Sequence, residues 1–228
     1  MRVAILLTGF SRTFEKVFFT IEELIHRYNA DVYIATWDVS DSRLTKEILP
    51  SKITREEFKD VPNLMACSIF DLEYYNKNKI SFIQNDRSDD VMVTDPRAIE
   101  HGTFWANRCR DQWYLVNQGF KSIISEYDVI LRTRLDIAYK NIELYKSNKL
   151  IIPNDIGGWD FSDHLAFGNQ TAMEKYCTFY KHMQDIYDKH NVDPTHAVNF
   201  LKFYISNFSK NNTPVEYKID NNITYKII

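Results

Sequence analysis

The chain has 228 residues, 44% hydrophobic and 26% charged, which suits one globular domain with a substantial core. Its 28 Lys and Arg against 31 Asp and Glu give a net charge of −3. That balance excludes broad electrostatic binding to nucleic acid, which needs a basic surface.

Arg2 to Phe10 reads as a first strand, a short continuous apolar run punctuated by Gly9. Continuous rather than alternating apolarity implies burial on both faces, hence an α/β sheet. Residues 11–28 read as a helix, with Phe14, Val17, Phe18, Ile21, Leu24, Ile25 and Tyr28 at helical spacing. Asp31 to Asp38 reads as a second strand, completing a βαβ unit. This sets Thr8, Gly9, Phe10, Ser11 and Arg12 at the carboxyl end of strand one, and Trp37 and Asp38 at that of strand two. Open α/β sheets bind ligands in the crevice at such ends. There Ser11 and the following amides face an anion, Arg12 reaches phosphate, Asp38 accepts from a ribose and Trp37 flanks a base. The plainer alternatives are an N-cap for Ser11, a turn residue for Asp38 and a core position for Trp37. Neither G-x-G-x-x-G nor G-x-x-x-x-G-K-[ST] occurs, which argues against a dinucleotide enzyme and a P-loop NTPase.

Residues 41–97 read as loops and short elements, with an aromatic patch from Phe70 to Tyr75, a strand from Lys79 to Ile83 and an acidic, solvated loop around Asp86–Asp90. Thr103 to Tyr127 reads as a long helix whose core stripe includes Trp105, Cys109, Trp113, Val116 and Phe120. Arg108 lies near its start, where an anion is favoured. The helix leads into a buried strand, Val129 to Leu131, that turns polar as Arg132-Thr133-Arg134-Leu135-Asp136. In an extended chain the pleat puts Arg132, Arg134 and Asp136 on one face. Two guanidiniums and a carboxylate at a buried strand end need partners. A diphosphate with or without a divalent cation suits all three, and an internal Arg–Asp ion-pair cluster suits them equally.

Asn148 to Pro153 reads as a short strand. Gly157 to Gly168 begins with a glycine pair, ends in an apolar strand and carries Asp160, Asp163 and His164 between. That is a place for a general base, a metal ligand or an acceptor contact, and also for an Asx-rich turn. Thr171 to His190 reads as an amphipathic helix. Asp193-Pro194 opens another that runs to about Phe208 and holds His196 in its first turn. Val215 to Ile228 offers one or two short strands.

These residues resemble a family. Gly9-Phe10-Ser11-Arg12, Thr36-Trp37-Asp38, Tyr127-Asp128 leading into Arg132-x-Arg134-x-Asp136, and Asp163-His164-x-x-Phe167-Gly168 together look like nucleotide-sugar glycosyltransferases of the GT-A type, nearest to WavE-type lipopolysaccharide-synthesis proteins and related capsule and viral-glycan transferases. The resemblance implies a single Rossmann-like GT-A domain over 1–228, with a mostly parallel central sheet flanked by helices. It implies a nucleotide-sugar donor and a hydroxyl of a glycan acceptor. GT-A enzymes hold Mn²⁺ or Mg²⁺ on the donor diphosphate with a D-x-D motif. Arg134 stands where the first aspartate belongs, so the divalent cation falls to Asp136 alone, or Arg132 and Arg134 neutralise the diphosphate themselves. Asp163 matches the catalytic carboxylate, with His164 beside the donor.

The departing diphosphate gains charge in an oxocarbenium-like transition state, so cations placed there act more on that state than on the ground state. Two other functions compete. A sugar-1-phosphate nucleotidyltransferase lacks support because its Gly-rich, Lys-containing loop is absent. A non-catalytic nucleotide- or carbohydrate-binding domain would keep the fold without turnover. Three scattered cysteines, Cys67, Cys109 and Cys177, argue against a disulfide framework and for a reducing, cytoplasmic setting. Neither a signal peptide nor a transmembrane segment is expected, since no apolar run approaches about 20 residues.

Overall fold

The structure is a computed structural model. It describes residues 1–40, 51–79, 96–154, 162–190, 192, 197–207 and 216–227, with backbone alone over 96–107. In chain order the elements are β1 (Val3–Gly9), α1 (Phe14–Tyr28), β2 (Asp31–Trp37), β3 (Leu64–Phe70), α2 (Leu72–Asn78), α3 (Pro96–Lys121), β4 (Val129–Arg134), β5 (Ile137–Asn141), β6 (Leu150–Ile152), β7 (Ala166–Gly168), α4 (Gln170–Cys177), α5 (Met183–His190), α6 (Ala197–Asn207), β8 (Tyr217–Ile219) and β9 (Thr224–Ile227).

Among the described residues seven strands form one sheet in the order β3-β2-β1-β4-β7-β6-β8, and β5 and β9 form a two-stranded antiparallel sheet. The first four strands are mutually parallel, with Leu7 opposite Ile34 on one side and Thr133 on the other. Antiparallel pairing begins at β4–β7. The fold is therefore α/β, a mixed and largely parallel Rossmann-like sheet flanked by helices, consistent with a GT-A arrangement.

The apolar run of β1 divides by parity. Val3, Ile5 and Leu7 pack with Val17, Ile21 and Ile25 of α1. Ala4 and Leu6 pack with Trp113, Val116 and Phe120 of α3 on the other face. Two covered faces explain why the run does not alternate. Each large side chain so buried contributes about 1.5–3 kcal/mol before entropy is counted. The α3 helix sits so close that a Cβ at Gly119 would lie 2.8 Å from both Ala35 Cβ and Leu6 Cδ1.

From β1 the chain builds outward through β2 to β3, then crosses by α3 to β4 on the other side of β1. Strand order thus reverses between β1 and β4. The crevice beyond their carboxyl ends, at Gly9 and Arg134, is the switch point where such sheets receive ligands.

Several elements differ from expectation. The first helix begins at Phe14, not Ser11. Gly9 takes a positive φ of 113°, which turns the chain out of the strand, and Phe14 N–H then donates to Ser11 O at 2.8 Å. The α3 helix covers 96–121 rather than 103–127, because a tight turn at Ser122, whose N–H and Oγ both donate to Gly119 O, ends it. The helix expected over 171–190 is broken at Thr178, whose Oγ1 bonds back to Glu174 O and Lys175 O before a 3₁₀ turn drives Phe179 into the core. Strands β3 and β5 add to the expected set. Lys79, where the expected strand would open, is the C-cap of α2. Residues 80–83, Asp86–Asp90, Gly157, Gly158, Asp160, Asp193-Pro194 and His196, and the side chains of 96–107, lie outside the described residues.

Candidate functional site

At the end of β4 the strand stops at Arg134, and Leu135 and Asp136 form a turn. The turn folds the carboxylate back under its neighbour. Arg134 Nε donates to Asp136 Oδ1 at 2.7 Å and Nη2 to Oδ2 at 2.6 Å, a two-pronged pair. Arg12, from the segment between β1 and α1, adds its Nη2 to the same Oδ2 at 2.6 Å. Backbone pairing continues underneath, since Leu135 N–H donates to Thr8 O at 3.0 Å. The two strand ends at the switch point are therefore tied by one carboxylate and two guanidiniums. Each guanidinium side chain is 19% exposed and Asp136's only 4%.

Burial pushes the Asp136 carboxyl up, but hydrogen bonds and charge from Arg134 and Arg12 outweigh it, and the net direction is down. Arg134 moves oppositely: burial lowers it, and bonding to Asp136 carries it up overall. Both shifts say that the charged pair is the stable form.

Arg132 is different. It shares a sheet face with its partner Leu6 and points toward α3, where its guanidinium lies over the Trp113 ring at 5.4 Å. It is fully buried. Nε donates to Thr8 Oγ1 at 3.2 Å, and Nη1 donates to the backbone carbonyl of Asp163 and to Tyr176 Oη at 3.4 Å. Its Nη2 has no partner among the described residues.

Asp163 precedes β7 and is 4% exposed. Gln112 Nε2, from α3, donates to both its carbonyl and its Oδ2 at 3.2 Å. His164 Nδ1 lies 3.2 Å from Asp163 Oδ1 and 3.3 Å from Arg134 Nη1, linking the carboxylate to the Arg12–Asp136–Arg134 group. Behind His164, Ser162 Oγ meets Tyr225 Oη of β9 at 2.6 Å, and the His164 ring approaches the Tyr225 ring edge-on at 6.3 Å.

The structure thus brings Thr8, Arg12, Arg132, Arg134, Asp136, Asp163 and His164 together. Arg108 is half-buried one helical turn before Gln112 on α3. Gly9 and Ser11 shape the chain between β1 and α1, with Ser11 offering its carbonyl to Phe14 rather than its hydroxyl as a cap. Trp37 corrects the expectation of a base-stacking surface. It is 1% exposed and lies parallel to Tyr114 at 5.8 Å, in a cluster with Tyr75 and Phe10, so it presents no free face. Asp38 follows the plainer role, its Oδ1 accepting from Leu72 N–H at 3.0 Å to tie β2 to α2. Gln112, Tyr176, Ser162 and Tyr225 were not singled out from the sequence as site residues. Only Gln112 carried a signal, as a polar position on a helix otherwise striped for the core.

Asp136, the residue expected to hold a divalent cation, is engaged by guanidiniums. Both its oxygens already accept from guanidiniums. Among the described residues no group of three or more His, Cys, Asp or Glu is gathered to hold a metal. A unit charge about 4 Å from another costs or gains roughly 4 kcal/mol near a protein surface, so a doubly charged ion beside two guanidiniums is opposed.

No protein-family model matches the chain, and no curated protein matches it. Among solved structures it is similar to the crystal structure of a glycosyltransferase involved in the glycosylation of the major capsid of PBCV-1. The identity is 11% and the TM-score 0.46, over 97% of this chain and 83% of that one. No helix among the described residues is long and apolar enough to cross a membrane.

Proposed function

We propose that the chain is a nucleotide-sugar-dependent glycosyltransferase that moves a sugar to a hydroxyl of a glycan, of the kind implied by its resemblance to WavE-type, capsule and viral-glycan transferases. The observation that carries this reading is the convergence of Arg12 and Arg134 with Asp163 and His164 at the switch point between β1 and β4. A glycosyl transfer from a diphosphate needs positive charge for the leaving group and a base for the acceptor, side by side. Arg12 and Arg134 supply the first at the open side of the group. The Asp163–His164 pair supplies the second. His164 is the more exposed of the two, 18% against 6%, so the acceptor proton passes to the pair from its side. Arg132 is buried behind them and holds the Asp163 carbonyl rather than facing the crevice.

The test is release of free nucleoside diphosphate from a panel of nucleotide sugars, with and without glycan acceptors. Turnover of one donor supports the transferase reading. Formation of a nucleotide sugar from sugar-1-phosphate and nucleoside triphosphate favours the nucleotidyltransferase. Donor binding with no turnover under any acceptor favours a binding domain.

A further inference from the structure

We infer that Gln112 is a positioning residue: by gripping Asp163 it fixes which nitrogen of the His164 ring carries the proton. This rests on the function proposed above, in which the Asp163–His164 pair takes the acceptor proton. Gln112 Nε2 lies 3.2 Å from both the carbonyl oxygen and Oδ2 of Asp163. Both of those atoms accept, so the amide turns its nitrogen to them and uses its N–H groups there. With Oδ2 held from α3, Oδ1 is the carboxylate oxygen turned to His164, 3.2 Å from Nδ1. Arg134 Nη1 stands 3.3 Å from the same Nδ1. That nitrogen therefore faces an acceptor and a donor, and can satisfy only one of them. Carrying a proton, it donates to Asp163. Without one, it accepts from Arg134, and the proton of the neutral ring sits on Nε2. Gln112 settles the contest, because a carboxylate pinned through Oδ2 does not swing Oδ1 away from the ring. The remainder of His164 is also held: its backbone N–H donates to Ser162 Oγ at 3.1 Å, and the ring meets Tyr225 edge-on. Asp163, Arg134 and Tyr225 thus all face the imidazole, and of these Asp163 favours a proton on Nδ1. Nε2 is then the basic nitrogen. The acceptor hydroxyl gives its proton to Nε2 as its oxygen bonds to the sugar carbon. The bond from sugar to diphosphate breaks, and its electron pair leaves with the phosphate oxygen. The imidazolium so formed keeps Nδ1–H on Asp163.

The experiment is nitrogen NMR of the full chain carrying isotope-labelled histidine, at a pH where the ring is neutral. Loss of signals in His164→Asn identifies those of His164 among six histidines. Wild type is expected to carry the proton on Nδ1. Gln112→Met, which keeps the length and loses both donors, should shift the ratio of the two forms about fivefold or more toward Nε2–H, the worth of one hydrogen bond. A wild-type ring protonated on Nε2, or a ratio unchanged in Gln112→Met, overturns the inference. Neither reading needs turnover. Absence of turnover in wild type therefore counts against the transferase, while the proton's position still decides the role of Gln112. Where wild type turns over, Gln112→Met should lower kcat about tenfold with the donor KM held. An unchanged kcat, or a rise in KM alone, removes Gln112 from the positioning of the base. Should Gln112→Met fail to fold, the wild-type spectrum and Gln112→Asn, whose amide stops one methylene short of Asp163, decide the matter by the same shift.

Discussion

Arg132 and Arg134 are two residues apart on one strand, yet they do different work. Arg134 faces the crevice and shares its charge with Asp136. Arg132 is sealed between Thr8, Trp113, Tyr176 and the carbonyl of Asp163. Arg132→Met, which keeps the length and loses the donors, should therefore lower kcat by about ten- to a hundredfold while the donor KM changes little. Steady-state kinetics on purified, folded variant would check it, and a rise in KM alone would assign Arg132 to donor binding instead. Asp136 has a pH signature. Its folded pKa is depressed, so its ion pairs stabilise the protein fully above the unfolded carboxylate value of about 4, and that stability is lost as pH falls through the folded value. Breaking a buried pair on one side costs about 3–5 kcal/mol. Asp136→Asn should accordingly melt several degrees lower than wild type at neutral pH, with the gap closing below about pH 4. A gap independent of pH would show that the carboxylate's charge contributes nothing. At this scale the Arg-x-Arg-x-Asp spacing made the strand-end cluster legible. The grip of Gln112 and Tyr176 was not, because each comes from a helix distant in sequence and its aim depends on packing.

The elements that sequence pattern revealed are those buried on both faces. β1, β2 and β4 have continuous apolar runs because helices cover both sides. β3 was missed although Leu64–Phe70 is apolar at every position but Ser68; it ends the sheet among the described residues, and most of it is only half-buried. β5 was missed because the turn at Leu135-Asp136 separates it from β4 by two residues. The path of α3 across the sheet depends on Gly119, whose missing side chain lets the helix lie against Ala35 and Leu6. Gly119→Ala should cost about 1–3 kcal/mol by overpacking, against the small gain in helix propensity. Thermal unfolding would detect that as a drop of several degrees, and an unchanged melting temperature would mean that the helix can slide away freely.

At the scale of the whole molecule, topology gathers the group. Strand order reverses between β1 and β4, and Arg12 from one strand end, Arg134 from the other and the Asp163–His164 pair from the approach to β7 meet there. The most direct measurement is release of nucleoside diphosphate from nucleotide sugars by the wild-type chain and by Arg12→Ala, whose side chain is partly exposed. Release by wild type, reduced at least about tenfold in Arg12→Ala with folding intact, is the expected result. Equal release by the two proteins would contradict a leaving-group site at the ends of β1 and β4.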